Sequence, residues 1–164
     1  MLTGKAGLLD SLIEVYTMEK GTREFYRRAA ENAHLNVSRE AFRELAKWEE
    51  EHMGYVQYLY QSLMEDREFT SFKEFRQRVR PDTLEGGIPV RDIEKWLEEY
   101  SFVDELGAII VALKMEARAF AMYDGLRKEA EDPSVRALME ELKDWEEGHI
   151  KYLKDLRLKL TETS

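Results

Sequence analysis

Apolar residues recur along this chain at spacings of three and four, never in strict alternation, which is the period of amphipathic helices and not of half-buried strands. Four runs carry the pattern. The first places Leu12, Val15, Tyr16, Tyr26, Ala29, Ala30 and Ala33 on one stripe, with Glu19 and Thr22 inside it. The second runs Phe42, Leu45, Met53, Val56, Leu59 and Leu63, with Glu49 and His52 inside it. The third runs Phe102, Leu106, Ile109, Leu113, Phe120, Tyr123, Leu126 and Ala130, around Glu116. The fourth runs Val135, Leu138, Leu142, Leu153, Leu156 and Leu160, around Glu146 and His149. Each is long enough for a helix of about seven turns.

The punctuation between the runs sets the topology. Asp132-Pro133 reads as an N-cap followed by Pro at the first helical position. Ser101-x-x-Asp104 resembles a capping box ahead of the third run, and Asn36 or Ser38 is placed to cap the second. Two of the three prolines, Pro81 and Pro89, fall with Gly86 and Gly87 in a connector from about residue 65 to 100. Short helices are expected within it at about 71–79 and 92–99. The other two connections are a few residues long. Short, long, short is the pattern of two antiparallel hairpins joined by a crossover. The expectation is one all-α domain over 1–164, a four-helix bundle with hairpin 1 at about 6–64, the crossover at about 65–100 and hairpin 2 at about 101–160.

Composition then removes classes of function. The 164 residues hold 34 acidic and 25 basic side chains, a net charge of −9, which disfavours nucleic acid because phosphate contacts need clustered cations. There is no cysteine, so disulfides, thiolate nucleophiles, Fe–S clusters and rubredoxin-type iron centres are excluded within these residues. The longest apolar stretch, Leu106 to Leu113, is too short to span a bilayer, and the first ten residues lack the apolar core of a secretory signal. No membrane partner and a cytoplasmic location are therefore expected.

The chain also repeats itself. Residues 18–63 match 115–160 at a constant offset of 97, with 14 of 46 positions identical. The identities include Met18/Met115, Glu19/Glu116, Tyr26/Tyr123, Trp48/Trp145, Glu49/Glu146, His52/His149 and Tyr55/Tyr152. The hairpins thus look like copies related by a pseudo-two-fold. Each first helix carries a Glu in its apolar stripe, and each second helix carries Glu-x-x-His 30 positions after that Glu. Residues three apart on a helix lie about 60° apart, so Glu49 and His52 share a direction, as do Glu146 and His149. The neighbouring apolar residues make that direction inward. Four carboxylates and two imidazoles therefore converge on the middle of the bundle. Unpartnered buried carboxylates are too costly to keep, and two divalent cations would balance four of them. Carboxylate and imidazole without thiolate suit iron or manganese, with zinc as a further option.

A stripe Glu followed by Glu-x-x-His, twice, resembles the di-metal signature of ferritin-like bundles. The stretches Met18 to Tyr26, Glu44 to His52, Met115 to Tyr123 and Glu141 to His149 resemble the rubrerythrin branch in finer detail. The resemblance covers nearly all of the chain outside the connector. It implies two iron ions held by Glu19, Glu49, His52, Glu116, Glu146 and His149, with Glu49 and Glu146 bridging and Glu19 and Glu116 terminal. It implies an oxidoreductase acting on O2 or peroxide, a homodimer, and, with no rubredoxin-like cysteines present, an electron donor that is a separate protein. The alternatives are iron storage or ferroxidase activity, and a non-catalytic bundle stabilised by metal. Rubrerythrin peroxidases carry one more third-helix Glu, three residues after the first. Here that position is Ala119, which implies weak peroxide turnover and preference for O2.

The remaining signals are secondary. Tyr26 and Tyr123 lie seven residues after Glu19 and Glu116, nearly in line, where a hydroxyl could bond a metal ligand. Trp48 and Trp145 precede the bridging glutamates and point about 100° away, towards helix contacts. Gly148 beside His149 would admit a close helix approach or a bulge. Tyr55 and Tyr58 lie off the core stripe, under the crossover or on a dimer surface. Glu50, Glu51 and Glu147 read as solvated, and Phe72 to Arg80 is a locally basic segment that could meet an acidic redox partner.

Overall fold

A computed structural model describes residues 4–66 and 104–162. They form four α-helices and no strand: α1 Gly4–Asn32, α2 Asn36–Met64, α3 Glu105–Glu129 and α4 Pro133–Glu162. Three-residue links, 33–35 and 130–132, fold α1 back on α2 and α3 back on α4, and each pair packs along its length. The two antiparallel hairpins meet through α1 against α3 and α2 against α4. This is the all-α bundle that the periodicity predicts. The crossover, its two expected helices and the basic segment lie outside the described residues.

The repeat extends into the links. The guanidinium of Arg39 donates to the carbonyl of Ala33 at 2.9 Å, and that of Arg136 donates to the carbonyl of Ala130 at 3.0 Å. Both residues of each pair are among the repeat identities. One side chain thus takes up an orphan carbonyl just past the first helix in each copy.

Helix starts differ in how their free N–H groups are met. Asp132 caps α4 as expected: its carboxylate accepts from the Ser134 amide at 2.7 Å and Pro133 follows. At α3 the cap is Asp104 itself, accepting from Gly107 N at 2.6 Å, where Ser101 had been expected to serve. At α2 neither Asn36 nor Ser38 caps. The N-cap is Leu35, whose side chain has nothing to offer, and Glu105 from the other hairpin instead takes up the amides just ahead of the first turn. One Glu105 oxygen accepts from the amides of His34 and, at 2.9 Å, Leu35; the other accepts from the Ser38 hydroxyl. The Glu105 carboxyl is held below its ordinary pKa: burial pushes it up, but these three donors more than offset that.

Two apolar clusters fill the interior. One gathers Leu12, Val15, Met53, Val56, Tyr123 and Leu142 with their neighbours, and the other Phe25, Phe42, Leu45, Ile109, Leu153 and Leu156 with theirs. In chain position these are opposite ends of the bundle, and the six polar stripe residues fall between them. Tyr55 is fully buried in the first cluster and Tyr58 only half-buried against it, so Tyr55 is core and presents no surface for a dimer. Gly148 does not serve close packing among the described residues either: a Cβ built there meets none of their atoms within 4 Å. Glu50 is half-buried and ion-paired with the buried Arg23 at 3.3 Å, and Glu51 is also half-buried; Glu147 alone of the three is exposed.

Candidate metal centre

Glu19 stands on α1, Glu49 and His52 on α2, Glu116 on α3, and Glu146 and His149 on α4. All six side chains are 2% exposed or less. They are brought together in two overlapping groups. Glu19, Glu49, His52 and Glu146 form one; Glu116, Glu146, His149 and Glu49 form the other. In each group the imidazole Nδ1 is the hub. His52 Nδ1 lies 3.3 Å from Glu19, 3.7 Å from Glu49 and 2.9 Å from Glu146. His149 Nδ1 lies 3.5 Å from Glu116, 3.7 Å from Glu146 and 3.0 Å from Glu49. Exchange of the two hairpins maps one set onto the other. Glu49 and Glu146 belong to both groups, whereas Glu19 and Glu116 belong to one each.

The two tyrosines cross between hairpins. The Tyr26 hydroxyl donates to Glu116 Oε1, and the Tyr123 hydroxyl donates to Glu19 Oε1. In line with its own hairpin's Glu by spacing, each Tyr instead serves the Glu of the other hairpin. One oxygen of Glu19 and of Glu116 is thereby tied to a phenol, and the other is turned towards an imidazole. Burial first, and then the surrounding carboxylates, push both phenols well above their ordinary pKa, so they stay protonated donors.

The carboxylates divide electrostatically along the same line. Burial and the charges of the other three acids push Glu49 well up, and burial with the charges of Glu116 and Glu19 does the same to Glu146. Burial would also raise Glu19 and Glu116, but it is outweighed. The neighbouring Glu49, His52 and the Tyr123 hydroxyl bring Glu19 down. His149, Glu146 and the Tyr26 hydroxyl bring Glu116 to about 2. The surroundings thus favour the anion at the outer acids and the neutral form at the shared acids, which lowers the charge carried in the dry interior.

A cation fits this donor set. Both nitrogens of His149 are buried without a hydrogen-bond partner among the described residues, and there the oxygens of Glu49 and Glu146 and Oε2 of Glu116 have only neighbouring carboxyls to share a proton with. Orphaned acceptors at such density are costly unless a metal takes their lone pairs. Four carboxylates, two imidazoles and no thiolate are the ligands of iron, manganese or zinc.

Aromatic rings back the histidines. The His52 and His149 rings stack at 5.1 Å with 15° or less between planes, and Trp48 stacks on His149 at 5.3 Å. Trp145 meets His52 edge-on at 5.8 Å. Each Trp therefore touches the imidazole of the opposite hairpin, a contact that a single-helix projection does not show.

A bundle of two pseudo-symmetric helical hairpins with this buried carboxylate–histidine centre is of the ferritin-like class. The sequence model of the rubrerythrin family matches residues 10–157, and the chain belongs to that family. No curated protein and no solved structure matches it. No described helix is long and apolar enough to cross a membrane.

Proposed function

We propose that this protein is a two-metal redox protein, with iron the working metal and O2 or a peroxide its oxidant. The observation that carries the reading is the sharing of Glu49 and Glu146 between two histidine-centred groups. One buried cation would need one group; two overlapping groups supply a terminal Glu and a His to each of two ions, with two carboxylates common to both. Bound as a ferrous pair, iron supplies two electrons to an oxidant. The chain's own contribution is to fix the ligands and keep water out. Tyr26 and Tyr123 orient the terminal carboxylates, Trp48 and Trp145 pack behind the imidazoles, and the two apolar clusters close the ends. Ala119, buried in the apolar cluster beside Tyr123, adds no fifth carboxylate, which supports O2 over peroxide as the better oxidant.

Anaerobic titration with ferrous ion tests the reading. Binding is expected to saturate at about two equivalents per chain, as the two overlapping ligand sets require. Exposure to O2 is then expected to oxidise the iron faster than hydrogen peroxide turnover proceeds with an artificial donor. Saturation at one equivalent would remove the dinuclear assignment. Retention of zinc with no redox response to iron would make the bundle metal-stabilised and non-catalytic.

A further inference from the structure

The pseudo-two-fold is broken at several positions near the centre, one of them directly before each histidine. Position 51 is Glu and its repeat mate, 148, is Gly. On the His52 side, Glu51 is half-buried with Oε2 shielded from solvent, and Tyr55 is fully buried. On the His149 side, Gly148 is exposed, Tyr152 is only half-buried, and a groove of about 310 Å³ opens between α2 and α4. Trp48, Trp145, Tyr152 and His149 wall it, Gly148 leaves it open, and Asp144 stands at its edge. Trp48 is in contact with both Tyr152, edge-on at 4.9 Å, and the His149 ring.

We propose that this groove binds a small neutral phenol or hydroquinone next to the metal ligand His149, at one site per chain. Its volume is at the low end of the ~300–1,000 Å³ of small-molecule pockets, enough for one or two rings and too little for a protein segment. Three aromatic side chains favour a flat ring by stacking or edge contact. The exposed Asp144 carboxylate can accept a hydroxyl hydrogen and, on a protein of net charge −9, repels an anion. Hydroquinones carry two electrons and two protons, so the inference rests on the proposed redox reading for its purpose, though not for the binding.

The test uses metal-free protein, so that it is independent of redox activity. Hydroquinone and phenol are titrated by calorimetry and ligand-observed NMR, with benzoate as the anionic comparison. Hydroquinone and phenol are expected to bind with one site per chain and benzoate at least tenfold more weakly. Gly148→Leu should weaken phenol binding at least tenfold while melting no lower than wild type, since its Cβ meets open space and leucine is the better helix former. Asp144→Asn should narrow the gap between phenol and benzoate. Equal binding to wild type and Gly148→Leu, or no phenol binding to wild type, overturns the proposal. Phenol binding to metal-free protein together with an iron-loaded form inert to every oxidant would instead overturn the redox reading and leave the site standing.

Discussion

Tyr26 and Tyr123 show how much a single hydroxyl does in a dry polar layer. Each donates across the hairpin interface to a glutamate that otherwise keeps an unpaired oxygen in the interior. Substitution by Phe keeps the ring packing and removes the donor. Under the proposed loading, Tyr26→Phe and Tyr123→Phe are each expected to weaken metal binding by roughly 10–100-fold, the usual effect of losing a group that orients a ligand. Competition with a chelator measures it, and the two losses should be similar because the tyrosines are repeat mates. Unchanged affinity in both variants would make the tyrosines core residues only. The six buried polar positions were legible in the sequence, because an inward phase and a repeat at constant offset select Glu19, Glu49, His52, Glu116, Glu146 and His149 from an acid-rich chain. The partners of the tyrosines were not. Spacing within one helix aligns Tyr26 with Glu19, and only the packing of α1 against α3 delivers its hydroxyl to Glu116.

The helices themselves follow from period and punctuation, and where the expectations fail they fail at helix ends. Local sequence offers Asn36 and Ser38 to α2, yet Leu35 occupies the cap position and Glu105 arrives from α3. A cap supplied by a residue seventy positions away has no local signature. Its worth can be measured. In metal-free protein at pH 7, Glu105→Ala is expected to lower unfolding stability by roughly 0.5–2 kcal/mol, the range for a lost cap. The Glu105 pKa is lowered in the folded state. Its contribution is therefore complete above the ordinary carboxylate pKa of ~4.3 and is lost as pH falls through the folded value. The difference between wild type and variant, from urea unfolding, should shrink in acid. A difference independent of pH would assign the effect to packing. The glycine at 148 failed as a prediction for the converse reason: close approach and open space leave the same residue in a sequence, and only the position of α2 tells them apart.

At the scale of the molecule, the bundle holds a charged layer between two apolar ends, and its stability should respond to pH in opposite senses with and without metal. Glu49 and Glu146 have folded pKa values well above ordinary. Between the ordinary value of ~4.3 and the folded value, the folded state holds more protons than the unfolded chain, so this pair's contribution falls as pH rises. Glu19 and Glu116 are shifted down, and their contribution is lost only as pH falls below the ordinary value through the folded one. Across pH 5 to 8 they are anionic in both states and add no slope. The metal-free protein should therefore melt lower at pH 8 than at pH 5. Metal binding requires deprotonated ligands, so its stabilisation grows over the same interval. The loaded protein should show the opposite trend, and the gap in melting temperature should widen steadily with pH. Glu49→Gln/Glu146→Gln supplies the internal control. Two neutral amides stand in for the protonated acids, so the metal-free variant should lose the downward slope and gain stability at pH 8, while failing to bind two ions. If metal-free wild type and variant changed stability equally from pH 5 to 8, the shared carboxyls would not be the groups that titrate on folding, and their raised pKa values would have to be abandoned.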